Sequence, residues 1–183
     1  MYRALVVAAQ HGDVESFDAL ARLVGDRCMG VAFRILRDTH RADDAVQAAL
    51  IAAWRDLRAL RDPDRFEPWL HRILIRECYA EARRRRRWAA DLHIMPTEVL
   101  ADAGGYQAVN DRDELDRAFR RLTLEQRAVV VLFHYLDLPM AEVAERLGVP
   151  IGTVKSRLYH ATRAMRASME ADARTPIPKE RPA

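Results

Sequence analysis

Apolar residues recur at helical spacing through most of the chain. From Phe17 to Leu36 they fall three or four positions apart, and Asp13 stands where the N-cap of that helix is expected. The same spacing predicts a second helix over about residues 42–60 and a third over about residues 65–88. Few runs of β-branched residues occur, and helix-forming Ala, Leu, Arg and Glu dominate. The pattern therefore predicts an all-α protein.

The helical pattern weakens over residues 91–111, which contain Pro96 and the pair Gly104–Gly105. This segment is expected to be a flexible linker between two small helical domains, residues 1–90 and residues 112–171. Residues 172–183 contain three prolines, and a disordered tail is expected there.

The second half of the chain has the layout of a helix-turn-helix. Thr123 and Gln126 form a capping-box pattern at the start of one helix. Pro139 opens a short helix that Gly148 closes, and a last helix begins near Pro150. Two helices joined by a turn that contains glycine are typical of proteins that bind DNA.

The last helix has two contrasting faces at 100° per residue. One face is an apolar stripe that is expected to hold the helix to its domain: Ile151, Val154, Leu158, Ala161 and Met165. The rest of the surface is polar or basic, with no acid before Glu170, and supplies the candidate contacts to DNA: Thr153, Lys155, Ser156, Arg157, His160 and Arg163. Short polar side chains and arginine read base edges, while flanking cations meet phosphates. The alternative is an ordinary amphipathic helix with a solvated basic face.

The net charge is only +3, but the charge is unevenly distributed. Residues 65–90 carry +5 and residues 150–170 carry +3, and the acidic residues 91–149 between them carry −5. Two separated basic segments suit a polyanion that is held at two places. Arginine supplies 28 of the 30 cations, however, so a run of arginines alone is weak evidence.

The third helix carries an aromatic and basic stripe within about one quarter of its circumference: Trp69, Arg72, Arg76, Tyr79 and Arg83. Such a stripe can stack on unpaired bases and neutralise their phosphates. For Trp69 a place in the core is the better interpretation. For Arg72 and Arg76 the stripe favours contact with nucleic acid.

Several classes of protein find no support in the sequence. Cys28 and Cys78 lack metal-site spacing and fit core positions. The six histidines form no HExxH motif, and neither a Ser-His-Asp order nor a glycine-rich phosphate loop occurs. Neither a signal-peptide layout nor a membrane-spanning segment is visible. We therefore expect a cytoplasmic protein that is not an enzyme, binds no cofactor, metal or small-molecule substrate, and does not insert into a membrane.

Three stretches together resemble one known family: "RADDAVQAALIAAWRDL", "RFEPWLHRILIRECYAEARRRRR" and "EVAERLGVPIGTVKSRL". Over residues from about 10 to 170, the chain resembles an extracytoplasmic-function (ECF) sigma factor of the sigma-70 family. The last stretch is shared by other helix-turn-helix regulators, so a stand-alone transcription regulator is the alternative. That alternative leaves the first two stretches without a role.

The resemblance implies a role in promoter recognition and melting, with core RNA polymerase and promoter DNA as partners. The first domain would bind the β′ clamp helices and the −10 element, and the second would bind the −35 element and the β flap. Asp44, Gln47, Leu50 and Trp54 would lie in the helix that binds core polymerase. The −10 contacts would come from Arg61, Asp62, Arg65, Arg72 and Arg76, and the −35 contacts from the candidates on the last helix.

The chain departs from the family pattern at Ala48, where an acid is frequent, and at Leu50, where an aromatic is common. Arg76 stands where asparagine is common, and arginine lacks the paired donor and acceptor of an amide. A different base preference, or contact only with phosphate, is therefore expected there. Regulation is expected to come from a separate anti-sigma protein. The sequence leaves open whether the free protein is compact, although the acidic residues 91–149 could attract a basic segment.

Overall fold

A computed structural model describes residues 2–91 and 110–173 of the chain. The regular elements of these residues are helical, which confirms the all-α prediction. They are α1 (Arg3–Gln10), α2 (Val14–Leu36), α3 (Thr39–Asp56), α4 (Phe66–Asp91), α5 (Asn110–Arg120), α6 (Leu124–Val130), α7 (Met140–Leu147) and α8 (Ile151–Ala173). Short 3₁₀ turns lie at Leu57–Ala59 and Pro63–Arg65, and a π-turn at Val131–Tyr135 continues α6.

Aspartate side chains cap the N-termini of α2 and α3. The Asp13 carboxylate accepts a hydrogen bond from the backbone N–H of Glu15, as expected for the N-cap of α2. Asp38 accepts from the N–H of Arg41 at 3.1 Å, and α3 therefore begins three residues before the predicted position. Each cap satisfies a backbone N–H that lacks a partner within its helix.

Helix α1 is an element that the hydrophobic pattern did not predict. It is only 8 residues long, but Val6 and Ala9 are buried against the rest of the domain. Its last residue, Gln10, donates hydrogen bonds from Nε2 to the carbonyl oxygens of Leu57 (3.1 Å) and Leu60 (2.7 Å). Tertiary contacts therefore stabilise a helix too short to be stable alone.

The first domain is built from α1 to α4 around one apolar core. Helix α3 packs closely because its inward positions are alanines, and Ala45, Ala49 and Ala53 are almost completely buried. Larger side chains fill the space on the facing helices, among them Leu20 and Ile35 of α2 and Leu70 and Leu74 of α4. The small alanine side chains thus let α3 lie close to its neighbours.

The second domain contains the predicted helix-turn-helix, formed by α7 and α8. The capping box of α6 is present, with Thr123 N–H donating to Gln126 Oε1 (2.9 Å) and Gln126 N–H donating to Thr123 Oγ1 (3.3 Å). Pro139 occupies the N-cap position of α7, and Gly148 ends the helix in the left-handed region with φ of 65°. That backbone conformation is why a glycine stands in the turn.

The apolar stripe of α8 is confirmed except at its first member. Val154 and Ala161 are fully buried, and Leu158 is nearly so. Ile151, by contrast, is 45% exposed. It is the first residue of α8, where the helix emerges from the turn, and the core covers the stripe only from Val154 onward. The prediction that Ile151 holds the helix to its domain was wrong.

Helix α4 ends at Asp91 and α5 begins at Asn110, so residues 92–109 of the predicted linker lie outside the described residues. Residues 174–183 of the predicted tail also lie outside them. The division of the chain into residues 1–90, 91–111, 112–171 and 172–183 therefore stays a prediction.

The two domains are in contact in this structure. Helix α7 packs against α4, and α6 packs against α2. The buried apolar side chains of both domains form one continuous cluster. This arrangement answers the question of compactness that the sequence left open, and it places the helix-turn-helix beside the basic helix α4.

Candidate nucleic-acid interface

The predicted −35 residues form one surface along the first half of α8. Lys155, Ser156, His160 and Arg163 are exposed, whereas Thr153 and Arg157 are half-buried. The opposite side of the same turns is anchored by the buried Val154, Leu158 and Ala161. Because the anchoring side is rigidly packed, the exposed side chains project from a fixed backbone, as groove recognition requires.

Two local contacts shape this surface. Ser156 Oγ donates to the carbonyl oxygen of Thr153 at 3.0 Å, which leaves its lone pairs available to accept a hydrogen bond from a base. The rings of Tyr159 and His160 meet edge to face with centroids 5.4 Å apart. Tyr159 is 62% exposed and extends the surface beyond the residues chosen from sequence.

The predicted −10 residues lie before and along α4. Arg61, Arg65, Arg72 and Arg76 are exposed. Their surroundings differ, because Arg65 Nη2 lies 2.5 Å from Glu145 Oε1 of α7, and Arg76 Nε donates to Glu77 Oε1 at 3.2 Å. Of these four cations, Arg65 is thus engaged by the second domain.

Asp62 has a structural role that the sequence prediction did not consider. Its carboxylate accepts a hydrogen bond from the N–H of Asp64 at 3.0 Å and begins the 3₁₀ turn at Pro63–Arg65. A carboxylate also repels DNA phosphates. We therefore assign Asp62 to the shape of the loop, which presents Arg61 and Arg65.

The aromatic members of the α4 stripe belong to the core rather than to an open surface. Trp69 is half-buried beside Phe66, with ring centroids 6.2 Å apart. Tyr79 is also half-buried, and burial raises the pKa of its hydroxyl to about 12. The core interpretation of Trp69 is confirmed. Only the arginines of the stripe remain candidates for contact with nucleic acid.

The predicted polymerase-binding residues lie on the outer face of α3. Asp44 and Gln47 are exposed, Trp54 is 38% exposed and Leu50 is half-buried. The Trp54 ring packs on Phe17 of α2 with centroids 4.9 Å apart. The outer face is thus a mixed surface of polar and apolar side chains.

Ile51 is a residue of this face that the sequence analysis missed. Its side chain is 68% exposed, although isoleucine is usually buried. With Asp44, Gln47 and Trp54 it follows the spacing of one helical stripe, and Val14 of α2 is 63% exposed. A helical wheel of α3 would have shown an isoleucine among polar residues. We name the surface formed by Gln47, Ile51 and Trp54 the apolar α3 face.

The two cysteines and His71, which are the remaining candidates for a reactive or metal-binding role, are buried. Burial raises the pKa of the thiol to about 11 at Cys28 and to about 12 at Cys78, as core cysteines would show. His71 is 1% exposed. Within the described residues no group of three His, Cys, Asp or Glu side chains could hold a metal ion. Likewise, none of the described helices has the length and apolarity that a membrane crossing requires.

The fold and these surfaces define a two-domain helical protein with a helix-turn-helix, and comparison with known proteins gives its family. Residues 20–88 match the family "Sigma-70 region 2", and residues 112–165 match "Sigma-70, region 4". The ECF RNA polymerase sigma factor SigM of Mycobacterium tuberculosis is 35% identical over 161 residues, which cover 86% of this chain and 79% of the relative. The RNA polymerase sigma-E factor of Streptomyces avermitilis is 33% identical over 170 residues, covering 88% and 89%.

Solved structures agree with the sequence comparison. The sigma factor RpoE of Bartonella quintana, determined with the anti-sigma factor NepR, is 25% identical with a TM-score of 0.73, covering 87% of this chain and 99% of that one. CnrH, determined with the cytosolic domain of CnrY, is 28% identical with a TM-score of 0.65, covering 93% and 97%. The chain belongs to the ECF subfamily of the sigma-70 family of RNA polymerase sigma factors, which are non-catalytic factors of transcription initiation.

Proposed function

We propose that each domain of this sigma factor recognises one promoter element and one part of RNA polymerase. The N-terminal domain would bind the β′ clamp helices through the outer face of α3, and the −10 element through Arg61, Arg65, Arg72 and Arg76. The C-terminal domain would bind the −35 element through α8 and would also bind the β flap. The observation that carries the proposal is the acid-free polar and basic surface of the first half of α8, set over the buried Val154, Leu158 and Ala161.

The chemistry of the two DNA sites differs. At −35, Ser156, His160 and Arg163 would reach base edges in the major groove of a duplex, with Lys155 at the phosphates. At −10, the bases must leave the duplex, which costs a few kcal/mol for the disrupted pairs. Exposed arginines of α4 would offset that cost by holding the displaced strand.

Arg76 would contribute to this second site in a restricted way. Its guanidinium already donates to Glu77, and it offers no acceptor to a base. It would therefore contact a phosphate or a base edge that presents acceptors, and the preferred −10 sequence would differ from that of relatives with an amide here.

An anti-sigma factor is the proposed regulatory partner, as NepR is for the RpoE protein of Bartonella quintana. In the present chain an apolar groove of about 720 Å³ lies between α2, α5, the π-turn and α8. Leu115 (47% exposed) and Met169 (36% exposed) line it beside Arg37 and Arg166, so an amphipathic segment with acidic residues would fit. Because promoters and core polymerase are its proposed partners, the protein would act in the bacterial cytoplasm.

Transcription in vitro with core polymerase from the source organism tests the function. The added protein is expected to direct initiation at specific start sites on genomic fragments. Core polymerase alone and core polymerase with an unrelated helix-turn-helix protein are the controls. Absence of any specific start with this protein would refute the proposal.

The alternative, a stand-alone helix-turn-helix regulator, makes a different prediction. Such a regulator would bind specific duplex sites without polymerase and would not co-purify with it. A sigma factor of this kind is expected to bind duplex DNA poorly alone and to be retained by immobilised core polymerase. Observation of the regulator's pattern in both assays would favour the alternative.

A further inference from the structure

Helix α1 lies against the segment that connects α3 to α4, and this segment carries the loop assigned to the −10 element. Gln10, the last residue of α1, donates from Nε2 to the carbonyl oxygens of Leu57 at 3.1 Å and of Leu60 at 2.7 Å. Leu57 begins the first 3₁₀ turn of the segment, and Leu60 follows it directly. One side-chain amide therefore holds the backbone on both sides of the turn.

The segment needs such support because the backbone leaves the helical path here. Leu60 (ψ of 105°) and Asp62 (φ of −116°, ψ of 105°) are both extended. A carbonyl group of an extended residue between helices lacks the partner that a helix would supply, and a side-chain donor can replace that partner. Gln10 is half-buried, so water competes less for these two hydrogen bonds than for a fully exposed contact.

The hydrogen bond at Leu60 bears directly on Arg61, the first proposed −10 contact. The Leu60 carbonyl group and the Arg61 nitrogen belong to one planar peptide unit. Holding the carbonyl oxygen 2.7 Å from Gln10 Nε2 therefore fixes the plane from which Arg61 continues. Because the Arg61 side chain is exposed, packing around it does little to set the backbone, and the neighbouring carbonyl group becomes the point of support.

Helix α1 also contacts the far end of the loop. Arg3 forms an ion pair with Asp64 in the second 3₁₀ turn, and the Tyr2 ring packs on Phe66 with ring centroids 6.0 Å apart. The ion pair is exposed on both sides and therefore contributes little to stability. Gln10 is thus the polar contact of α1 best placed to hold the loop.

We propose that Gln10 is a positioning residue for the −10 site, because its two hydrogen bonds hold the loop in the conformation that presents Arg61 and Arg65 to the displaced strand. The proposal rests on the assignment of this loop to the −10 element above. Gln10 contacts no DNA in this role. Base readout requires side chains held to within about 0.5 Å, whereas a phosphate contact tolerates more movement, so a loosened loop would discriminate bases less.

Two variants remove the donor, and a third is the control for stability. Gln10→Met keeps an unbranched side chain of similar length without an N–H group, and Gln10→Glu keeps the shape but turns carboxylate oxygens toward the two carbonyl groups. Methionine and glutamate are good helix formers, so α1 should persist. Val24→Ala lowers stability by truncating a side chain that is buried in the middle of α2 and takes no part in the polar contacts of the loop.

The first measurement is the promoter selectivity of holoenzyme. Core polymerase with each full-length variant is titrated on a promoter that the wild type uses, and on single-base substitutions in its −10 and −35 elements. Both Gln10 variants are expected to lower the affinity ratio between the original promoter and the most discriminated −10 substitution about three- to tenfold, which is part of the effect of losing a base contact. The −35 ratios are expected to stay at their wild-type values, because α8 is unchanged.

These ratios separate positioning from a merely structural role. A variant that only destabilises the domain lowers the active fraction and weakens binding to all promoters alike, so every ratio keeps its value. Val24→Ala is expected to show that pattern. Unchanged −10 ratios in both Gln10 variants, or the same change of the −10 ratios in Val24→Ala, would overturn the proposal.

Amide hydrogen exchange of the free full-length chain gives the second measurement. The N–H groups of Leu60 and Arg65 donate to the carbonyl oxygens of Leu57 and Asp62 at 3.1 and 3.0 Å, so both amides are expected to be protected. The Gln10 variants should raise the exchange rate of these two amides about tenfold without changing the rates in the middle of α2, because only the loop is loosened. Wild-type rates at both amides would contradict the proposal.

Arg61→Ala separates this proposal from the assignment on which it rests. If Arg61→Ala alters the −10 ratios and the Gln10 variants do not, the loop reads the −10 element and Gln10 does not position it. If Arg61→Ala and Arg65→Ala both leave the −10 ratios unchanged, the assignment of the loop fails, and the role of Gln10 fails with it. Altered −10 ratios in the Gln10 variants and in Arg61→Ala support both.

Discussion

At the residue scale, Ser156 and Lys155 are neighbours on α8 with different expected roles. The Ser156 hydroxyl is near the centre of the exposed face and hydrogen-bonds its own helix, which holds it in one orientation. Lys155 is an exposed point charge at the edge of that face. One side chain is therefore suited to reading a base and the other to contacting a phosphate.

Replacing Ser156 by Ala is expected to change −35 base preference at one position by about 1 kcal/mol, or roughly fivefold. Lys155→Ala should weaken binding to all sequences alike and lower the slope of log affinity against log salt by about 1. Titration of holoenzyme on a set of singly substituted promoters at several salt concentrations measures both. The same loss on every promoter with both variants would remove Ser156 as a base-reading residue.

The buried imidazole of His71 makes the free energy of unfolding depend on pH. Burial first, and then the charge of Arg146, lower its pKa from 6.5 to about 3. The unfolded chain therefore binds a proton between pH 6.5 and about 3 that the folded chain does not, and stability falls as the pH falls through this window. Each pH unit in the middle of the window would remove up to about 1.4 kcal/mol through this group.

The variant His71→Gln tests this dependence, because glutamine can accept a hydrogen bond from Arg146 but does not titrate. The free energy of unfolding, measured by urea denaturation between about pH 7 and pH 5, is expected to fall more steeply for the wild type. Carboxylates contribute equally to both proteins, so the difference in slope reports His71. Parallel curves for the two proteins would show that His71 is not buried in its neutral form.

At the element scale, α3 packs into the core through one side and presents a candidate protein-binding surface on the other. Its inward side is alanine, which brings α2 and α4 close, and its outward side carries the apolar α3 face. Ile51 is the most exposed apolar residue of that face, at 68%. An exposed apolar surface with polar residues around it is typical of a site for protein binding.

Ile51→Ser is expected to weaken binding to core polymerase by about 1.5–3 kcal/mol, or at least tenfold, because burial of this side chain in the complex is lost. Folding stability should change by less than about 0.5 kcal/mol, since the side chain is exposed in the free protein. Leu23→Ser is the matched control. Leu23 is 53% exposed, and it lies about 120° around α2 from Phe17, the residue that packs on Trp54, so it is away from the apolar α3 face. Competition for core polymerase with a labelled sigma factor gives the affinities, and equal losses at both sites would exclude a specific role for Ile51.

The helices themselves were largely predictable from local sequence. The cap at Asp13, the capping box at Thr123 and the glycine ending at Gly148 are each decided by residues within one turn. Helix α1 was missed because its stability comes from contacts of Gln10 with carbonyl groups far away in the chain. Ile151 was misassigned because a wheel shows which side a residue faces, but not how far the core extends along the helix.

At the scale of the whole molecule, the contact between the domains is the feature that no local pattern showed. Arg146 looks like an ordinary surface arginine of a short helix, and Gly30 like a weak point in a long one. Their partners, His71 and Tyr135, are 75 and 105 positions away. Only the folded chain shows that both residues join the domains.

Local sequence and tertiary contacts therefore determined different properties of this protein. The amino-acid sequence by itself determined every described helix except α1, the helix-turn-helix, the candidate DNA and polymerase surfaces and the family, because periodicity, caps and motif spacing are local properties. The tertiary structure decided which candidates are free to bind. It exposed Ile51, buried much of Trp69 and Tyr79, and paired Arg65 with Glu145 of the other domain, because burial and ion pairing depend on residues that are distant in the chain.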